Sequence, residues 1–203
     1  STAGDSALAN AQPCLINYSE GSLSLAHNGN LVNAMTIRRR LGASGSIFQS
    51  TNDSEVIVHL MAQAKGDTFV DRAATALNEV KGAYSLLLMT EDEMIAARDP
   101  QGFRPLCLGK LDGAYIIASE SCAFDLIEGE FIRELEPGEL LLINKDGLQS
   151  FFPFQKAPTR QCVFEHIYFS RPDSFLFNKS VYETRKEIGR ALAQEWPADA
   201  DLV

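Results

Sequence analysis

The 203-residue sequence lacks the usual staples and anchors. Its four cysteines, Cys14, Cys107, Cys122 and Cys162, lie far apart with no CxxC pair, which argues against a zinc ribbon or a self-contained iron–sulfur site. No apolar run is long enough to cross a bilayer. Ser1 to Pro13 is small and polar, without the basic start and apolar stretch of a signal peptide. A reducing, cytoplasmic setting with free thiols is the simplest reading. Positive charge is also scarce: 18 Lys and Arg face 27 Asp and Glu, a net charge of -9. Nucleic acid backbones and anionic membrane surfaces repel such a chain, so neither is expected as a partner. The dense basic cluster Arg38-Arg39-Arg40 fans around a helix axis and reads as a solvated face. There is no internal repeat and no low-complexity tract.

What remains is ordinary globular material, 45% hydrophobic and 22% charged, long enough to bury a full core without metal or disulfide. Pro13 to Ser19 and Ser22 to Ala26 read as short strands around a Glu20-Gly21 turn. His27-Asn28-Gly29-Asn30 follows as a predicted tight turn. Leu31, Ala34, Met35, Ile37 and Leu41 recur at helical spacing. A second helix is expected from Asp53-Ser54, with Glu55 in its first turn and Val56, Ile57, Leu60 and Met61 on one side. Phe69 to Val80 outlines a third. After Gly82 the texture changes to short apolar runs separated by Gly, Pro and Asp. These are Ala83 to Met89, Met94 to Ala97, Pro105 to Leu108, Ala114 to Ala118 and Glu139 to Asn144. Helices followed by mostly antiparallel strands predict an α+β layered fold. Phe151 to Pro158 reads as a connection, Val163 to Phe169 as a strand, and Val181 to Trp196 as an amphipathic helix. Leu202-Val203 reads as the start of another strand. A domain boundary is placed near residue 160, giving units 1–160 and 161–203.

Taken one at a time, the polar candidates have plain explanations. Asn28-Gly29 after a strand is a common turn signal. Its sharper reading is an oxyanion hole, with an Asn amide and a neighbouring backbone N–H aimed at a developing negative charge. His27 reads as a packed or hydrogen-bonded core histidine rather than a base. Asp53 reads as a helix cap, or more sharply as a carboxylate for the ammonium group of an amino-acid substrate. Arg98, Asp99 and Arg104 read as structural ion pairs in a turn.

Taken as an ordered string, they say more. Ser1-Thr2-Ala3-Gly4, Asn10-Ala11-Gln12-Pro13, Ala26-His27-Asn28-Gly29-Asn30-Leu31, Asp53-Ser54-Glu55 and Gly82-Ala83-Tyr84 precede the Arg98 to Leu106 tract, Ala118-Ser119-Glu120 and Pro137-Gly138-Glu139. This order resembles the class II glutamine amidotransferases. Their fold is the four-layer αββα N-terminal-nucleophile hydrolase sandwich, represented here without its first segment. The tract Cys162-Val163-Phe164-Glu165-His166-Ile167-Tyr168-Phe169-Ser170-Arg171-Pro172-Asp173-Ser174 resembles the domain junction of the amidophosphoribosyltransferase family. Tyr182 to Val203 is similar to the entry into its phosphoribosyltransferase α/β domain.

The resemblance implies a division of labour. An N-terminal cysteine attacks the glutamine carboxamide, a thioester forms, and ammonia leaves. By position, the Asn28 side chain and the Gly29 N–H match the oxyanion hole. Asp53 matches the carboxylate that binds the substrate ammonium, and Thr2 a residue lining the glutamine site. Ammonia then displaces pyrophosphate from phosphoribosyl pyrophosphate, with magnesium, giving 5-phosphoribosylamine for purine synthesis. The family's cysteine and a carboxylate-binding arginine fall upstream of Ser1. These 203 residues are therefore expected to be a fragment without glutaminase activity of their own, and the intact enzyme a homo-oligomer. Some members carry a 4Fe–4S cluster with a ligand at the position of Cys162, while others have cysteine there without one. Cluster ligand and structural thiol both stay open. Two alternatives compete with the phosphoribosyl-transferring enzyme: another class II amidotransferase, and a non-catalytic glutamine-binding module.

Overall fold

A computed structural model of the chain describes Asp5 and residues 7–200. Thr2, and the strand start expected at Leu202-Val203, lie outside the described residues. The fold is α+β, as expected, and divides into two compact units. One runs to Leu106 and resumes over Leu135–Gln161. The other takes Cys107–Glu134 and continues from Cys162.

The first unit is a six-stranded antiparallel sheet in the order β1-β2-β3-β4-β8-β9, with three helices. Its strands are β1 (Cys14–Tyr18), β2 (Gly21–Leu31), β3 (Gly82–Met89), β4 (Met94–Arg98), β8 (Leu140–Asn144) and β9 (Gly147–Phe151). Its helices are α1 (Ala34–Ala43), α2 (Glu55–Gln63) and α3 (Phe69–Leu77). In α1 the buried residues Ala34, Ile37 and Leu41 form one stripe, while Met35 is exposed. In α2 burial reaches nearly all round, through Val56, Ile57, Val58, Leu60 and Met61, which makes it the central helix of this unit. A capping box starts α3: the Thr68 side chain accepts from Asp71 N–H, and the Asp71 carboxylate accepts from Thr68 N–H. These helices and the inward residues of β2, β3 and β4 share one apolar core.

The predicted turn at His27-Asn28-Gly29-Asn30 is a strand instead. β2 continues through these residues and pairs with β3 from Ser24↔Met89 to Leu31↔Gly82. A local turn preference is weaker than a ladder of eight residue pairs with one face in the core. Leu23, Leu25, His27, Gly29 and Leu31 alternate onto that face. The helix expected from Leu31 therefore begins at Ala34, because Leu31 still closes the ladder.

The second unit holds a three-stranded sheet, β6-β5-β7, made of β5 (Cys107–Leu111), β6 (Ala114–Ala118) and β7 (Glu130–Glu134). With it come the short helix α4 (Cys122–Asp125), the two-residue strands β10 (Phe175–Leu176) and β11 (Lys179–Ser180), and α5 (Val181–Glu195). Cys107, Phe124, Leu176, Phe177 and Val181 form its core. The strand expected at Val163 to Phe169 is a π-helical turn over Glu165–Phe169. Its carbonyl and amide groups close locally, Ile167 N–H onto Val163 O and Ser170 N–H onto Glu165 O. The Ser170 hydroxyl also donates to the Glu165 carboxylate at 2.7 Å, so five apolar β-formers are outweighed by a side-chain clamp. The amphipathic helix is present as α5, but only Val181 of its apolar stripe is buried; Ile188, Leu192 and Trp196 are exposed. Sequence periodicity missed β7 and β9, whose polar and charged residues are largely exposed.

Arg38 is not part of a solvated face. Its guanidinium lies 4.1 Å from the Phe48 ring centroid and 3.4 Å from the Glu55 carboxylate. The Arg98 region also departs from simple ion pairing. Buried Arg98 donates to the carbonyls of Arg104, Leu135 and Gly102. Asp99 accepts from Gln101, Phe103 and Tyr84 N–H. Burial nevertheless raises the Asp99 carboxyl above its ordinary range, against those bonds and the Arg98 charge.

Candidate active site

Of the sequence-selected residues, Asn28 and Gly29 lie in β2, and Asp53 reaches the same strand through Leu31 N–H. Two features allow this contact. β1 pairs with β2 only as far as Cys14↔Leu25, so beyond Leu25 the β1-side edge of β2 is uncovered by β1. The segment ahead of α2 then folds onto that edge. Glu55 holds this segment: its carboxylate accepts from Gln49 N–H, Ser50 N–H and the Ser50 hydroxyl. Burial opposes ionisation of Glu55, but these bonds and Arg38 outweigh it, and its carboxyl titrates below the usual value. Asn10 clamps the same segment, its amide nitrogen donating to Thr51 Oγ1 at 2.8 Å and its amide oxygen accepting from Thr51 N–H at 2.9 Å.

Along a strand, successive N–H groups point to opposite edges. His27 N–H donates to Gln12 Oε1 at 2.5 Å, on the β1 side. Leu31 N–H donates to Asp53 Oδ2 at 2.8 Å. Gly29 lies midway between them, and strand parity turns its N–H to the same edge. Three donors thus line one edge: the outer two are held by Gln12 and Asp53, and the middle one belongs to the glycine expected to serve an oxyanion. Asn28 is of opposite parity, so its side chain leaves β2 on the face opposite His27.

A side chain at Gly29 has no room. A Cβ there would sit 2.1 Å from the Ala83 carbonyl oxygen and 2.7 Å from His27 Nε2. Glycine is required by close approach of its neighbours, not by a turn.

Asp53 is not the helix cap. Ser54 occupies the N-cap position of α2, and the Asp53 carboxylate reaches back across 22 residues to β2. It is only 6% exposed, and it accepts from the Ser54 hydroxyl at 3.2 Å. Among the described residues its ionisable partner is His27, with Nδ1 3.8 Å from Asp53 Oδ1. Burial lowers the His27 pKa, against the opposing pull of Asp53, so near neutral pH the imidazole does not serve as a counter-cation. Among the described residues the Asp53 carboxylate has hydrogen bonds but no Lys or Arg partner, a setting in which an ammonium group would be favoured.

The spacing suits an amino acid. Two residues of strand separate the Gly29 and Leu31 N–H groups by about 6.8 Å. Extended glutamine places its α-nitrogen and carboxamide carbon about 5 Å apart, from standard bond lengths. An ammonium group at Asp53 and a carboxamide oxygen at Gly29 N–H are therefore within reach of one molecule.

Gln12 and Ser54 are contributors that residue-by-residue reading passed over. Both stood inside the motif string, but only the fold shows Gln12 capping an edge N–H and Ser54 bridging His27 to Asp53. Burial raises the thiol pKa of Cys14 and Cys122, so neither is an activated nucleophile. Cys162 is half-buried, with its carbonyl accepting from Glu165 N–H. It offers one of the four thiolates a 4Fe–4S cluster uses. No three His, Cys, Asp or Glu side chains converge on a common point among the described residues. The described residues alone do not make up a cluster site.

Comparison with known proteins identifies the family. A family model described as "Glutamine amidotransferase domain" matches residues 3–125. Amidophosphoribosyltransferase 1, chloroplastic, of Arabidopsis thaliana is 49% identical over the whole chain, which covers 36% of its length. Amidophosphoribosyltransferase of Bacillus subtilis is 46% identical, again over the whole chain and 43% of its own length. The chain thus spans less than half the length of these relatives. A solved B. subtilis glutamine phosphoribosylpyrophosphate amidotransferase, complexed with ADP and GMP, superposes with a TM-score of 0.93 at 45% identity. That match covers 97% of this chain and 44% of the solved one. The expected N-terminal-nucleophile hydrolase class is the fold observed. With a family model covering more than half its length, the chain belongs to the glutamine amidotransferase domain family.

Proposed function

We propose that this chain carries the glutamine-binding and oxyanion-stabilising part of an amidophosphoribosyltransferase. The observation that supports the reading is the bond from Leu31 N–H to the Asp53 carboxylate, two residues along the same edge of β2 from Gly29. In this reading glutamine enters with its α-ammonium on Asp53. The carboxamide oxygen meets the Gly29 N–H and the Asn28 amide, which stabilise the negative charge that develops as a thiolate attacks. The released ammonia then reacts with phosphoribosyl pyrophosphate in a following phosphoribosyltransferase domain, which we take to begin near residue 161 and where magnesium acts. By its place in the motif string Thr2 is assigned to glutamine binding, Cys162 is a candidate cluster ligand, and the intact protein is a homo-oligomer working in the cytoplasm.

The test uses the full-length protein and measures glutamine-dependent ammonia release. Asn28→Ala should lower kcat by about 10²–10³. Asp53→Asn should raise KM for glutamine, while turnover with ammonium chloride as nitrogen donor is retained in both variants. Unchanged glutamine hydrolysis in both would remove these residues from the site.

A further inference from the structure

Between the two halves of the site lies a buried imidazole that the reaction as described does not use. The His27 side chain is 0% exposed. Nδ1 lies 2.6 Å from Ser54 Oγ, which in turn lies 3.2 Å from Asp53 Oδ1. On its other side, Nε2 is 3.4 Å from the Ala83 carbonyl oxygen and packs into the space a Gly29 Cβ would need. One rigid ring therefore touches the backbone around Gly29 at one end and the seat of Asp53 at the other.

A serine, a histidine and an aspartate in mutual contact invite comparison with a hydrolase triad. The connectivity is wrong for one. In that arrangement serine and aspartate engage opposite ring nitrogens, whereas here both oxygens gather at Nδ1 and Nε2 is turned against a backbone carbonyl. With the ring fully enclosed, no substrate atom reaches it.

We propose that His27 is a positioning residue, a strut that sets Asp53 at a fixed distance from the Gly29 N–H through the Ser54 hydroxyl. The Leu31 N–H holds one oxygen of the Asp53 carboxylate to β2, and the Ser54 hydroxyl, itself held by His27, fixes the other relative to a strand N–H that has no freedom of its own. Fixing the carboxylate to that N–H makes the site read the length of its substrate, so that a bound ammonium group places the carboxamide against the oxyanion donors. Misplacement by about 1 Å costs on the order of 10² in rate. The inference rests on the assignment of Asp53 and Gly29 made above and adds the group that couples them.

The experiment compares L-glutamine with glutaramate, the same carboxamide acid without the α-amino group, as ammonia sources for the full-length enzyme. Asp53→Asn provides the reference, since its loss should cut the preference for glutamine over glutaramate by about tenfold or more. His27→Leu and Ser54→Ala should cut the same ratio. His27→Asn, whose amide takes the Nδ1 position, should restore much of it. A purely architectural histidine would lower the yield of folded enzyme and leave the ratio alone. If Asp53→Asn reduces the ratio and Ser54→Ala and His27→Leu do not, the strut is refuted while the site stands. If His27→Leu fails to fold, Ser54→Ala alone decides, since it cuts the link without removing the ring. If Asp53→Asn itself leaves the ratio unchanged, the site assignment fails and the strut falls with it.

Discussion

Replacing Gly29 by alanine adds one methyl group where the structure leaves none of the space for it. The new Cβ would begin 2.1 Å from Ala83 O, when real Cβ contacts stay beyond 3.0 Å, so the two strands must part by about 1 Å at this point. The obstacle is backbone, not the end of a flexible side chain, and relief has to come from the β2–β3 ladder itself. Overpacking of this kind costs about 1–3 kcal/mol, visible as a lower urea midpoint with an unchanged slope. The functional loss should exceed what that stability change explains. An N–H donor displaced by about 1 Å leaves hydrogen-bond range of the oxyanion, at a cost of about 10²–10³ in kcat for glutamine hydrolysis. Ammonia-dependent turnover by the same full-length protein provides the control for global damage. A Gly29→Ala variant with wild-type midpoint and wild-type glutamine hydrolysis would refute both the close approach and the direction assigned to that N–H.

Two further predictions concern the scaffold. Arg98→Met leaves the buried carbonyls of Gly102, Arg104 and Leu135 without the guanidinium that serves them. The expected loss is about 3–5 kcal/mol in urea unfolding, and a loss below about 1 kcal/mol would show that this turn holds itself. The second concerns pH. His27 and His59 both have lowered pKa values, mainly because burial disfavours the imidazolium. Once the pH falls below about 6.5 the unfolded chain binds protons there that the native state resists, so stability should decline on acidification through that window. Asp99, raised by burial, works in the opposite sense. The comparison that isolates the histidine effect is therefore His27→Asn against the parent, with a smaller decline expected for the variant between pH 7.5 and 5.5. Parallel declines would mean that His27 is not held neutral.

Much of the fold could be read locally because its causes are local. The spacing of Ala34, Ile37 and Leu41, or of Val56, Leu60 and Met61, is the helix face itself, and Asp112-Gly113 or Asp146-Gly147 marks a chain reversal. The errors fall where distant partners decide. Asn28-Gly29 has the chemistry of a turn, and only pairing with Ser85 and Tyr84, more than fifty residues away, pulls it straight. Asp53 sits where a helix cap belongs, yet its carboxylate is claimed by the Leu31 N–H. The order of motifs singled out Asn28, Gly29 and Asp53 without saying how the fold would relate them. That depends on parity and on an ending. Gly29 faces the same edge as His27 and Leu31 because it is two residues from each, and β1 takes no part there because its ladder with β2 ends at Leu25. Shift β2 by one residue and Gly29 N–H would turn into the ladder with β3, while every leucine on the strand would leave the core. The register that buries Leu23 and Leu25 is thus the register that aims the N–H proposed as oxyanion donor, so in this reading stability and chemistry share one alternation.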